Sequence, residues 1–165
     1  MRIPPPNTCL ISKKMGERKE ELNELVQLVF ELDDSTKPGW GQMSAQHMVE
    51  HLVLTFRISN GKLVTECAFS EGRQAAMKRF LNSDKPMPRN FTNPLIGPDL
   101  KPLMFPGLDI ARNELTKEVE DFYRYFDTHP EATPVNPTFG PLTFQEWLIF
   151  HRKHMTHHLT QFGLR

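Results

Sequence analysis

The sequence predicts an all-α fold, a four-helix bundle with a long proline-rich crossover between its second and third bundle helices. Three observations carry this expectation. Four long stretches repeat apolar residues at helical spacing, all 14 prolines fall outside those stretches, and no segment sustains the alternation of a strand. With short irregular links and one long connection, four amphipathic helices pack as a bundle. At 165 residues the chain fits a single domain, 1–165, with enough length to bury a core.

Residues 1–14 hold Pro4-Pro5-Pro6 and are expected to form an extended arm over the surface, because proline removes a backbone donor and fixes φ. The first bundle helix is expected from about Met15 to Asp33, with Leu22, Leu25, Val26, Val29, Phe30 and Leu32 on one side and solvated charge opposite. The second starts after Ser44, a capping residue, and runs to Ser59, where Asn60-Gly61 ends it. Its main stripe is Ala45, Met48, Val49, Leu52 and Phe56; a second apolar side carries Leu54 and Ile58 together with His47 and His51, as in a helix wedged between neighbours. A short helix is expected over Glu71–Leu81. Beyond it, six prolines between Pro86 and Pro106 exclude regular structure, and a loop of this length tends to be functional or to wrap the body. The 84–107 loop is expected to bound a pocket, together with the amino-terminal arm. Its residues Met87, Phe91, Leu95, Ile96, Met104 and Phe105 either line that pocket or anchor the loop. The third bundle helix spans about Asp109 to Thr128, with Ile110, Leu115, Val119, Phe122, Tyr123 and Phe126 as its stripe. A link from His129 to Asn136 leads to the last helix, Phe144 to Phe162. Thr143 and Glu146 form a capping box before it, and Gly163 stands where a left-handed residue is wanted after it.

Composition removes several functions. A formal net charge of zero offers no basic footprint for nucleic acid or an anionic membrane. No apolar run reaches the roughly 18 residues that a bilayer requires, and the first residues lack the apolar core of a secretion signal, so a cytoplasmic protein is expected. Cys9 and Cys67 fit no zinc spacing.

Chemistry concentrates in the last helix, which holds four of the seven histidines. His151, His154 and His158 form one row at helical spacing, His154 at the edge of the apolar sector, while His157 points away toward the surface or a partner. A lone imidazole on an apolar face is usually a core residue with satisfied nitrogens. Several buried together need several partners, and one cation serves them all. An i, i+4 pair supplies only two ligands, so another must come from elsewhere. His47 and His51 also stand four apart and face one way, though either alone reads as readily as a polar residue at a helix boundary.

The final segment, with its PTFG, LT, EW, KH, HH and QFG elements, resembles the carboxyl-terminal signature of a family of unknown function within the DinB/YfiT-like superfamily of metalloenzymes. The Trp40–Leu52 segment is similar to that superfamily's second helix, in which a histidine follows a polar cap by about two turns. The two segments cover about a third of the chain. The resemblance implies a three-histidine site at one end of a bundle, with His51 from the second helix and His154 and His158 from the last. Leu159-Thr160-Gln161 stands where many relatives have Arg-Gly-Gln, a departure that bears on substrate and leaves the ligands intact.

Three neutral imidazoles suit a divalent zinc, nickel, iron or manganese ion without choosing among them. His47, His151 and Gln161 are expected behind the ligands, the histidines as supports or a proton relay and Gln161 as an orienting group; Glu50 points away from His51 and is a poor base. The resemblance favours a metal-dependent hydrolase or thiol-dependent transferase acting on a small molecule, a thiol among the candidates, with a homodimer left open. The alternative is a metal-stabilised binding or stress-associated module without catalysis.

Overall fold

The computed structural model describes the backbone over residues 6–89 and 99–165, and side chains from residue 12 onward within those ranges. Among them the chain is mainly helical: α1 (Pro6–Leu28), a 3-10 turn (Val29–Glu31), α2 (Ala45–Ser59), α3 (Glu71–Leu81), α4 (Leu108–Thr128) and α5 (Phe144–Gln161). A minimal antiparallel pair joins β1 (Val135–Asn136) to β2 (Gly140–Pro141), with Val135 opposite Pro141 and Asn136 opposite Gly140.

The caps explain the boundaries. Ser44 accepts the backbone N–H of His47 at the start of α2, Ser70 accepts that of Arg73 at α3, and Thr143 and Glu146 close a reciprocal capping box on α5. Gly163 follows α5 with φ of 75°, the left-handed conformation that ends a helix at least cost without a Cβ. One expected element is corrected. The arm assigned to residues 1–14 is helical from Pro6, because a proline at the first helical position loses an N–H that would have had no partner and already holds the helical φ. Residues 1–5 lie outside the described residues.

α1 packs along α5 and α2 along α4, with α2 and α3 also touching α5. The core between them takes Leu22 and Leu25 from α1, Val29 from the 3-10 turn, Met48, Leu52 and Phe56 from α2, Leu115 and Phe122 from α4, and Trp147, Met155 and Leu159 from α5, each fully buried. Two residues placed on apolar stripes from sequence are turned outward instead. Phe30 sits in the 3-10 turn, where the tighter winding rotates it to 41 % exposure, and Ile110 in the first turn of α4 is 49 % exposed. The C-terminal end of α2 is tied to α4 by ions: Glu118, buried, accepts from Arg57 Nε at 2.8 Å, Lys62 Nζ at 2.7 Å and Asn60 Nδ2 at 2.7 Å.

Among the described residues the 84–107 stretch carries no regular element before α4. It is fixed to α2 by Glu50, whose carboxylate accepts the backbone N–H of Met104 at 2.6 Å and of Phe105 at 3.0 Å, while Gln46 Nε2 donates to the Phe105 carbonyl at 2.7 Å. No described helix is long and apolar enough to cross a membrane.

Candidate metal centre

α2 and α5 bring three imidazoles to one point. His51 Nε2 lies 2.9 Å from His154 Nε2, and His158 Nε2 lies 3.0 Å from the same atom. The ligand atoms of the three residues all fall within 4.8 Å of one another. His154 and His158 are buried and His51 is half-buried, on the open side. The i, i+4 spacing on α5 supplies two rings on one face; the second apolar side of α2, where His51 sits beside Leu54 and Ile58, supplies the third.

These contacts do not satisfy one another as hydrogen bonds. A neutral imidazole nitrogen either donates one proton or offers one lone pair, whereas His154 Nε2 meets two other Nε2 atoms at hydrogen-bond distance. At most one of the two contacts is a well-directed hydrogen bond, and the other sets like against like. Burial, with like-charge repulsion behind it, holds His51 down to about 4, His158 down to about 3 and His154 well below the usual histidine value, so all three are neutral at pH 7. A divalent cation resolves the conflict because it accepts three lone pairs at once. The donor set fits such an ion.

The tautomer of His158 follows from its neighbours. Gln161 Nε2 donates to the Trp40 carbonyl at 2.7 Å, which turns the amide oxygen toward His158 Nδ1, 2.9 Å away. That oxygen only accepts, so Nδ1 carries the proton and Nε2 presents a bare lone pair to the cluster. The 39–41 loop is built to hold this amide. Gly39 N–H donates to the main-chain carbonyl of Gln161 at 2.7 Å, and Gly41, with φ of 79°, leaves space that a Cβ would fill at 2.8 Å from Gln161 Nε2. His154 Nδ1 is buried and has no such partner.

The other histidines have separate places. His151 is fully buried, its Nε2 2.8 Å from Ser59 Oγ and its ring stacked on Phe56 at 3.7 Å; its hydrogen bond goes to Ser59 and to none of the three clustered rings. It is a core residue, although the sequence row placed it with His154 and His158. His47 Nδ1 lies 2.7 Å from its own cap, Ser44 Oγ, and the residue faces the pocket. His157, expected at the surface, is half-buried against Trp40 and edge-on to His158.

A pocket of about 840 Å³ opens above the cluster, with His51, His154 and His158 in its lining. Met87 and Met104 of the loop border it, Phe105 packs on the core instead, and Phe91, Leu95 and Ile96 lie outside the described residues, as do the side chains of the first eleven positions. The β1–β2 hairpin also contributes wall, through Asn136 to Phe139. Glu50, discounted from sequence as pointing away, lines the pocket through a carboxylate that is committed to the loop. Comparison of the chain with protein-family models, curated proteins and solved structures finds no match.

Proposed function

We propose that this protein is a metal-dependent enzyme built on a four-helix bundle of α1, α2, α4 and α5, with His51, His154 and His158 sharing one divalent ion. The observation that carries the reading is the chain from the Trp40 carbonyl through Gln161 to His158, which fixes a lone pair toward His154 Nε2, an atom that also faces His51 Nε2. The resemblance to the DinB/YfiT-like superfamily points the same way. Zinc, nickel, iron and manganese all suit imidazole donors. An ion held there supplies Lewis acidity, which serves hydrolysis or the activation of a thiol.

The protein's own residues prepare that site. Burial keeps the imidazoles neutral, Gln161 orients one of them, and the Glu50 clamp holds the loop wall around the pocket so that a small substrate meets a defined space. The reading is tested by purifying the protein without a histidine tag and measuring its metal content and its turnover on ester, amide and thiol-transfer substrates. Metal-dependent turnover that His154→Ala abolishes while the helical circular dichroism persists is the expected result. Full activity in His154→Ala overturns the metal-site reading of the activity, and no turnover in the metal-loaded protein overturns the enzyme reading.

A further inference from the structure

Several polar groups around the pocket are turned back onto the protein. Thr55 Oγ1 donates to the Leu52 carbonyl at 2.8 Å and Thr65 Oγ1 to that of Val135 at 2.7 Å. Asn136 Oδ1 accepts the backbone N–H of Thr138 at 2.9 Å and of Phe139 at 3.2 Å. The Glu50 carboxylate takes Gln46 Nε2 as well as two loop amides, and His47 Nδ1 faces Ser44. The surface between these groups is apolar, from Leu54 and Ile58 on α2 to Met77 and Phe80 on α3 and Leu100 on the loop. Asp99 and Lys101 are exposed at the rim.

We propose that the pocket takes an amphiphilic small molecule, with a single carboxylate head at the three-histidine cluster and a medium-length apolar body along the wall of α2, α3 and the loop. This rests on the reading of the three histidines as metal ligands. Three neutral imidazoles add no negative charge to a divalent ion, and the Glu50 carboxylate lies outside the three-histidine group, held by its loop hydrogen bonds, so an open coordination position favours an anion. The volume, about 840 Å³, lies within the range of roughly 300–1,000 Å³ that binds drug-sized ligands. Methionines at 43, 77, 87 and 104 give the wall unbranched, adaptable side chains that fit a flexible chain. Each hydroxyl of a polyhydroxylated ligand is costly to bury on a mainly apolar wall unless it finds a partner there, a penalty that an alkyl chain does not meet.

The test uses the full chain loaded with cobalt(II), whose visible bands report on its ligands. Butanoate, hexanoate, octanoate and gluconate are titrated, the last matching hexanoate in length but carrying hydroxyls. Affinity is expected to rise about fourfold for each added methylene, the fold-change equivalent to about 0.8 kcal/mol per buried CH₂, with gluconate at least tenfold weaker than hexanoate. Leu54→Ser, and independently Met77→Gln on another helix, should flatten the chain-length series and leave the ligand-free cobalt spectrum unchanged. A flat series in the unmodified protein, gluconate binding as tightly as hexanoate, or a series that stays steep in both variants overturns the amphiphile and spares the metal site. Absence of cobalt bands removes the metal reading, and the proposal with it.

Discussion

Replacing Gln161 by leucine separates a metal centre from a cluster of packed histidines. The side chain has two partners, the Trp40 carbonyl at 2.7 Å and His158 Nδ1 at 2.9 Å, and it is buried. Leucine removes the acceptor that fixes the His158 tautomer, so the ring's proton is free to move to Nε2 and block the lone pair. Loss of such a supporting partner typically weakens metal binding by about 10–100-fold, which is about 1.4–2.7 kcal/mol. Stability also falls, by about 1 kcal/mol for each lost hydrogen bond, so melting temperature does not discriminate. The assay is competition for zinc against a chromophoric chelator at pH 7.5, with Gln161→Glu as the control. A glutamate still accepts from Nδ1, although it loses the donation to the Trp40 carbonyl, and should keep more of the affinity than leucine does. Unchanged affinity in Gln161→Leu refutes the tautomer argument.

Three further outcomes follow from the same geometry. With metal removed, the protein should lose stability as pH falls below about 6.5: His51 and His158 titrate in the folded state at about 4 and about 3, so the unfolded chain takes up protons first, at about 1.4 kcal/mol per pH unit for each histidine involved. Urea unfolding across that range measures it, and a chelator should lower the melting temperature at pH 7.5 with little effect at pH 5. Glu118→Ala takes the side-chain acceptor from Asn60 and one of two carboxylate partners from each of Arg57 and Lys62, which keep Glu114 and Asp121, and should cost about 1–3 kcal/mol; denaturant unfolding checks this. Glu50→Gln turns an amide N–H₂ toward backbone donors and should cost about 1–3 kcal/mol, with faster hydrogen exchange at Met104 and Phe105.

Helix positions were legible because caps and periodicity agreed with each other. Ser44, the Thr143–Glu146 box and Gly163 each mark a boundary that the backbone respects within a residue or so. Pro6 was misread because proline opposes a helix interior and not its first position. The β1–β2 pair escaped notice because two residues per strand carry no alternation; Asn136 and Gly140, with its φ of 75°, were its only signals. Spacing alone also misassigned the row on α5. It grouped His151 with His154 and His158, whereas the crossing of α2 gives His151 to Phe56 and Ser59 and brings His51 to the other two. Which of two histidines on one helix face meets a neighbouring helix depends on depth and crossing angle, and periodicity encodes neither. The Trp40–Gln161 contact joins residues 121 positions apart, beyond any local pattern.

The central claim, one ion shared by three imidazoles, is tested most directly by metal stoichiometry in tag-free protein and its single-alanine variants. Zinc or cobalt should bind at about one ion per chain, with binding lost in His51→Ala, His154→Ala and His158→Ala and kept in His47→Ala and His157→Ala. Equal binding across all five variants, or none in the unmodified protein, would contradict it.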